Sequence, residues 1–294
     1  MTDLRLRRSV LYMPGSNPRA LEKAKTLPAD ALILDLEDAV APDAKEIARE
    51  QVCAAVRGRG YGDRELIIRV NAPQTPGGEA DLKAAIEAGP DAILMPKVSS
   101  PAVLENIADR LEALDAPAHI RVWAMIETPA AILNIQSIAA ARRNAATRLS
   151  CFVLGTNDLA KDTWTQIVPG RAPMLPWLMT ALAAARAEGL AILDGVFNDF
   201  ADVEGLREEC SQARILGFDG KTLIHPNQVE PANAAFAPTE AEVETARNVI
   251  AAFDRPENAR RGAIQINGRM FERQHIGMAR RAVAWSEAIA ARGR

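Results

Sequence analysis

Three apolar runs in this chain end in carboxylates or polar turns. Residues 31–36 lead into Glu37-Asp38, residues 121–126 into Glu127-Thr128-Pro129, and residues 150–154 into Gly155-Thr156-Asn157-Asp158. Buried parallel strands read as continuous apolar runs. A parallel barrel keeps its chemistry at the C-terminal ends of such strands. Carboxylates that converge there without matching basic residues repel one another, and a hard divalent cation, Mg²⁺, is the simplest compensation. Glu127 and Asp158 are the metal-ligand candidates, because each falls just past a strand and the two strands are consecutive. Magnesium takes one or two protein carboxylates and fills its other positions with water or substrate oxygens. Such an ion polarises a carbonyl and stabilises an enolate. The competing use of both residues is helix capping.

Strand alternation puts Asp35 and Glu37 on one face, with Leu34 and Leu36 on the other. Inward carboxylates need partners, and Arg69 is the nearest candidate. The group Asp35, Glu37 and Asp38 therefore reads either as a salt-bridge cluster or as a set that orients metal-bound water. Arg69 and Lys97 both lie near strand ends. An arginine beside a metal suits bidentate carboxylate binding, and a lysine there could form a Schiff base, although an acidic metal site already supplies the electron sink. His119, His225 and His275 form no metal-binding pair, and His225 reads as a loop histidine or a rim residue. Arg19, Lys23 and Lys25 form a basic group that could hold phosphates at the rim or simply face solvent.

Eight strand-like runs position these residues: 9–13, 31–36, 65–70, 91–95, 121–126, 150–154, 191–197 and 220–224. Helical stretches separate most of them, which favours right-handed crossovers and a parallel sheet. Eight units point to a closed barrel. Gly89 and Gly189 are placed to close helices, and Pro14, Pro96, Pro129 and Pro226 to end strands. After His225-Pro226 the pattern changes to a helix over 240–252, a polar linker, a stretch containing Asn267-Gly268, and a final helix over 273–291. The expected division is a catalytic barrel over 1–230 and an extension over 231–294.

The 294 residues are 48% hydrophobic and 25% charged with a formal charge of −3, a globular composition that gives no support for nucleic-acid binding. Cys53, Cys151 and Cys210 are widely spaced, which argues against a disulfide framework or a zinc site. Arg5, Arg7 and Arg8 precede only a short apolar stretch, too short for a signal peptide or a membrane span. The expected compartment is the cytoplasm.

Taken together, the motifs resemble the citrate lyase β-subunit-like family of CoA-ester lyases. Ser9-Val10-Leu11-Tyr12-Met13-Pro14-Gly15, Ile33-Leu34-Asp35-Leu36-Glu37-Asp38-Ala39-Val40, Ile68-Arg69-Val70-Asn71 and Met95-Pro96-Lys97-Val98 occur in the family's order. So do Ile126-Glu127-Thr128-Pro129, Gly155-Thr156-Asn157-Asp158-Leu159, Gly217-Phe218-Asp219-Gly220-Lys221 and Ile224-His225-Pro226. The resemblance implies an α/β fold, a TIM (β/α)8 barrel with a C-terminal helical extension. It also implies Mg²⁺ and cleavage or formation of a 3-hydroxyacyl-CoA such as malyl-CoA or citramalyl-CoA. The partners would be a CoA thioester and a 2-oxo acid, glyoxylate or pyruvate, in a homo-oligomer (trimer or hexamer) without membrane attachment.

By the same resemblance, Glu127 and Asp158 hold the metal, and Arg69 holds the oxo-acid carboxylate. Residues Asp35 to Asp38 surround metal waters, and backbone amides of Gly155, Thr156 and Asn157 orient the oxo acid. Apart from the resemblance, the basic residues Arg19 and Lys25 are expected to bind substrate at the rim. The family brings an acidic residue from a neighbouring subunit in a Gly-Lys-Met-(Ile/Val)-Asp pattern. Here that stretch is Gly268-Arg269-Met270-Phe271-Glu272, one methylene longer at the acid. Rival expectations are a malyl-CoA thioesterase on the same scaffold, a citrate lyase β subunit acting on a carrier-bound thioester, and a metal-dependent aldolase.

Overall fold

The computed structural model describes residues 5–292. The chain separates into two compact units, Arg7–Phe236 and a second made of Met1–Leu6 with Ala237–Arg294. In the first, eight strands close into a barrel in sequence order. They are β1 (Ser9–Pro14), β2 (Ala31–Asp35), β3 (Glu65–Arg69), β4 (Ala92–Met95), β5 (Arg121–Ile126), β6 (Leu149–Leu154), β7 (Ala191–Asp194) and β8 (Gly220–Leu223). Every pairing is parallel, including the β1–β8 closure. The helices of this unit are α1 (Pro18–Ala24), α2 (Lys45–Gly58), α3 (Gly78–Ala88), α4 (Pro101–Ala113), α5 (Pro129–Leu133), α6 (Ile135–Ala140), α7 (Thr156–Thr163), α8 (Leu175–Ala187), α9 (Val203–Leu216) and α10 (Val229–Phe236). This is a TIM barrel, as expected.

Period-two alternation builds two apolar layers. Val10, Ile33, Ile67, Leu94, Trp123 and Val153 fill the barrel interior. Their neighbours Leu11, Leu34, Ile68, Ile93, Phe152 and Leu223 face the helices. Cys151 is a free, buried core thiol inside the barrel. The first unit extends past residue 230 because Ala232 and Phe236 of α10 join the helix-facing core. Gly89 closes α3 in the left-handed region at φ 70°, where a side chain would be strained.

The N-terminal end of the barrel is filled by ion pairs. Arg7 donates to Glu65 through Nε at 2.6 Å and Nη2 at 2.8 Å, and its guanidinium lies 4.9 Å from the Trp123 ring. Arg8 grips Asp30 at 2.8 and 2.9 Å.

Strand β7 stops at Asp194, three residues short of the apolar run that announces it. The next residue, Gly195, packs on Thr156, where an added methyl group would fall 2.8 Å from Thr156 Cγ2.

The second unit holds α11 (Glu240–Phe253), a hairpin of β9 (Ala263–Ile266) and β10 (Arg269–Glu272), and α12 (His275–Arg292). Thr239 and Glu242 form a capping box at the start of α11. Asn267 and Gly268 turn the hairpin with φ 49° and 79°, the positive pair that a two-residue turn requires. Val249, Phe253, Ile264 and Ala279 make the core of this unit. Among the described residues, no helix is long and apolar enough to cross a membrane.

Candidate active site

Asp35 and Arg69 end adjacent strands and are register partners. Both side chains therefore point into the barrel mouth side by side. Arg69 donates Nε to Asp35 Oδ1 and Nη2 to Oδ2, each at 2.6 Å. Asp35 also accepts the backbone N–H groups of Glu37 at 2.9 Å and Ala39 at 3.0 Å. It is fully buried and its oxygens are engaged, so Asp35 belongs to a salt-bridge cluster and is not a group aimed at water.

Glu37 differs. Its Oε2 lies 2.9 Å from Arg69 Nη1, yet no donor is aligned with that buried oxygen. Burial, against the opposing pull of Arg69 and with help from Asp38, Glu127 and Asp35, pushes the Glu37 carboxyl up to about 8. Asp38 turns outward, with its side chain 66% exposed and 3.7 Å from Arg69 Nη1.

The loop that carries Glu37 is clamped from below. Lys45 Nζ donates to the carbonyls of Leu36 at 2.8 Å and Glu37 at 2.6 Å and to Asn71 Oδ1 at 3.0 Å. Asn71 in turn donates to Leu36 O and to Asp81.

Glu127 follows β5 and is 1% exposed. Its Oε1 accepts the backbone N–H of Lys97 at 2.7 Å. Lys97 has φ 52°, which turns that amide toward the carboxylate, while its side chain is exposed. The exposed amine fits the reading that an acidic metal site leaves no need for a Schiff-base lysine, since Lys97 meets Glu127 through its backbone. Burial first, then the charge of Asp158, pushes Glu127 up to about 7, against the Lys97 hydrogen bond and the charges of Arg69 and Lys97.

Glu127 Oε2 lies over Gly155, where an added methyl group would fall 2.7 Å from it. Gly155 is therefore required by the approach of Glu127, and it is also the N-cap of α7. Asp158 is the third residue of α7, and its side chain is 28% exposed. The capping alternative does not apply to either acid, since Thr128 caps α5 through its hydroxyl and Gly155 occupies the cap of α7.

Gly155 N–H is engaged with Ile126 O at 3.0 Å, so it is unavailable to a ligand. The first-turn amides of Thr156, Asn157 and Asp158 have no intrahelical acceptor. The Asn157 side chain is tied reciprocally to Asn198 at 3.0 and 2.8 Å.

The basic group divides between the two ends of the barrel. Arg19 is exposed in the first turn of α1, at the C-terminal rim. Lys25 is the C-cap of the same helix, roughly 10 Å further along. It pairs with Glu22 at 2.5 Å and packs beside Gly60 and Tyr61, in the loop that enters β3. Lys25 is thus at the opposite end from Arg69 and Glu127, which removes it as a ligand contact.

His225 stacks on Phe200 with ring centroids 4.9 Å apart and caps the turn at Pro226. It is a loop histidine. Glu272 ends β10, half-buried, with Oε2 accepting from Gln274 at 2.7 Å and its N–H donating to His275 Nδ1 at 2.8 Å. Among the described residues, no group of three or more His, Cys, Asp or Glu side chains could by itself hold a metal. A metal at Glu127 and Asp158 therefore needs other oxygens to complete its shell.

One rim residue escaped the motif reading. Tyr12 shares the inward face of β1 with Val10, and its ring lies 4.9 Å from the Arg69 guanidinium. Strand alternation alone would have pointed it into the mouth.

The arrangement defines a class: a barrel enzyme with buried acids and a fixed arginine at its C-terminal mouth. The chain belongs to the HpcH/HpaI aldolase/citrate lyase family, whose model matches residues 8–226. It is 51% identical over 284 residues to a (3S)-malyl-CoA thioesterase of Cereibacter sphaeroides, covering 97% of this chain and 96% of the relative. It is 36% identical over 293 residues to citrate lyase subunit beta of Leuconostoc mesenteroides subsp. cremoris, covering 98% and 96%. Among solved structures it is similar to CitE from Mycobacterium tuberculosis in complex with magnesium, acetoacetate and coenzyme A. That likeness has a TM-score of 0.76 at 29% identity, covering 95% of this chain and 97% of the other.

Proposed function

We propose that this protein is a Mg²⁺-dependent hydrolase of a short 3-hydroxyacyl-CoA thioester of the malyl-CoA kind. The observation that carries the chemistry is the buried Glu127, close enough to Asp158 to have its proton affinity raised, across the mouth from Arg69. The donor set fits magnesium: two oxygen ligands of one charge, with Arg69 already paired to Asp35. When bound there, the ion would orient and polarise the oxygens of the hydroxy acid. Arg69, fixed by Asp35, presents Nη1 to the reacting end of the substrate. Glu37, whose buried carboxyl holds a proton up to about 8, is placed to exchange a proton at that end. Water adds to the thioester carbon and the carbon–sulfur bond breaks. One proton of that water leaves with CoA as the thiol, the other is released to solvent, and the hydroxy acid leaves as a carboxylate.

Hydrolysis is preferred over carbon–carbon cleavage because the 51% identity to a malyl-CoA thioesterase spans nearly the whole chain. The lyase reading keeps its own support in the likeness to citrate lyase subunit beta and to CitE. A product assay with Mg²⁺ and (3S)-malyl-CoA separates them. The expected products are free CoA and intact malate, whereas acetyl-CoA and glyoxylate would return the lyase reading. Citramalyl-CoA, run alongside, tests the acyl range.

The hairpin bearing Glu272 is proposed to serve the barrel of a neighbouring subunit, in a cytoplasmic homo-oligomer. Its exposed Met270, at 69%, gives it an apolar surface to bury there. Mixing Glu272→Gln subunits with Arg69→Ala subunits should restore part of the lost activity. No recovery in verified mixed oligomers removes the shared site.

A further inference from the structure

Two donors at the floor of the barrel mouth converge on one weak acceptor. Arg69 Nη1 lies 3.7 Å from Met125 Sδ, and the Tyr12 hydroxyl lies 4.0 Å from the same sulfur. A thioether is a poor acceptor, and a contact this long is weak. Neither donor has a strong acceptor in that direction, although Nη1 also approaches Glu37. Tyr12 is half-buried at the mouth, while Met125 beneath it is only 5% exposed. The Tyr12 ring is held in place by the Arg69 guanidinium above it, at 4.9 Å. Burial, with the nearby acids Asp35, Glu127 and Glu37 acting against Arg69, raises the phenol above its ordinary range, so the group is a donor at every working pH.

We propose that Tyr12 O–H and Arg69 Nη1 together form the hole that holds the thioester carbonyl oxygen as negative charge develops on it. This rests on the CoA-thioester reading above. The geometry selects a single oxygen. A substrate carboxylate would seek the two-pronged edge of the guanidinium, and Asp35 already occupies the Nε and Nη2 edge. Two donors that both lie within about 4 Å of the Met125 sulfur are close enough together to share one oxygen placed beside that sulfur. In hydrolysis, the water oxygen bonds to the carbonyl carbon and the π pair moves onto this oxygen. Re-forming the C=O bond then expels the CoA sulfur. In carbon–carbon cleavage the same oxygen carries the enolate charge, so the pair would serve either outcome.

The test is Tyr12→Phe, which keeps the ring over Arg69 and removes only the hydroxyl. The probe is carboxymethyl-CoA, an anionic analogue of the thioester enolate whose charged oxygens lie one bond beyond the thioester oxygen position, within reach of the same donors. Titration of the Mg²⁺-loaded protein should show a loss of affinity of about tenfold or more in the variant. Turnover of malyl-CoA should fall about a hundredfold in kcat, with KM within about threefold of the parent. Magnesium affinity should not change. Equal binding of carboxymethyl-CoA by variant and parent overturns the proposal. So does a matching loss of magnesium affinity, which would make Tyr12 a support for the metal ligands. If the parent protein binds neither carboxymethyl-CoA nor acetyl-CoA, the CoA-thioester reading falls and this proposal falls with it. A loss seen only in Tyr12→Phe concerns the hydroxyl alone.

Discussion

Glu127→Gln will give a folded barrel that neither binds magnesium in the millimolar range nor turns over substrate above about a thousandth of the parent rate. The amide keeps the volume and can still accept the Lys97 N–H, so the packing over Gly155 survives. What is lost is the charge that a hard cation needs. The parent should also show a pH signature. Glu127 sits at about 7 without metal, because burial and Asp158 favour its protonated form. Magnesium must displace that proton, so affinity should be flat above about 7 and fall about tenfold per unit below it. Asp158→Asn removes a ligand but also removes a charge that raises Glu127. Residual magnesium binding should therefore be weaker, with its pH threshold moved down from 7 toward the ordinary carboxylate range. Calorimetric titration in buffers of different ionisation enthalpy reads both the affinity and the proton released. Undiminished binding in Glu127→Gln would place the metal elsewhere.

Much of this site was legible because barrel strands announce themselves. A strand buried on both sides must be apolar along its length, so the first polar residue after it marks the rim. Glu127 after Ile126 was placed by that logic, whereas Asp35 and its pairing with Arg69 were read from inward-facing alternation. The misjudged features depend on facts that residue identity does not carry. The side chain of Lys97 gave no sign that its backbone amide, turned by a left-handed φ, would meet Glu127. Arg19 and Lys25 looked like one basic patch, yet α1 runs from one rim toward the other and separates them. Strand β7 ends at Asp194, and Gly195 after it lies close to Thr156, a contact between segments about forty residues apart in sequence that the apolar run does not announce.

The acidic group also shows how one stretch of sequence divides into different roles. Asp35, Glu37 and Asp38 lie within four residues of one another, but the strand ends between the first two. Asp35 is still in register with Arg69 and takes its fork. Glu37 belongs to a turn pinned by Lys45 and retains a buried oxygen without an aligned donor. Asp38 reaches solvent. Asp35 therefore fixes the cation, and Glu37 is left with proton affinity near working pH.

Arg69→Lys should lower kcat/KM by about a hundredfold or more while leaving the fold and the magnesium affinity within about threefold of the parent. Arginine does three things here that one ammonium cannot do together. Nε and Nη2 grip both oxygens of Asp35, Nη1 faces the mouth beside Glu37 and Met125, and the flat guanidinium rests on the Tyr12 ring. A lysine keeps the charge opposite Asp35, so the buried carboxylate is not left without a countercharge and unfolding is not expected. Its ammonium would settle against Asp35 and vacate the Nη1 position, and the Tyr12 ring would lose its planar partner. The loss should fall mainly on kcat, because the vacated donor faces an oxygen that becomes charged only during reaction. Arg69→Met offers the contrast. It leaves Asp35 fully buried beside no cation, and stability should drop by about 3–5 kcal/mol in denaturant titration. Near-parental kinetics in Arg69→Lys would reduce Arg69 to the structural partner of Asp35 and leave the charge on the substrate to other groups.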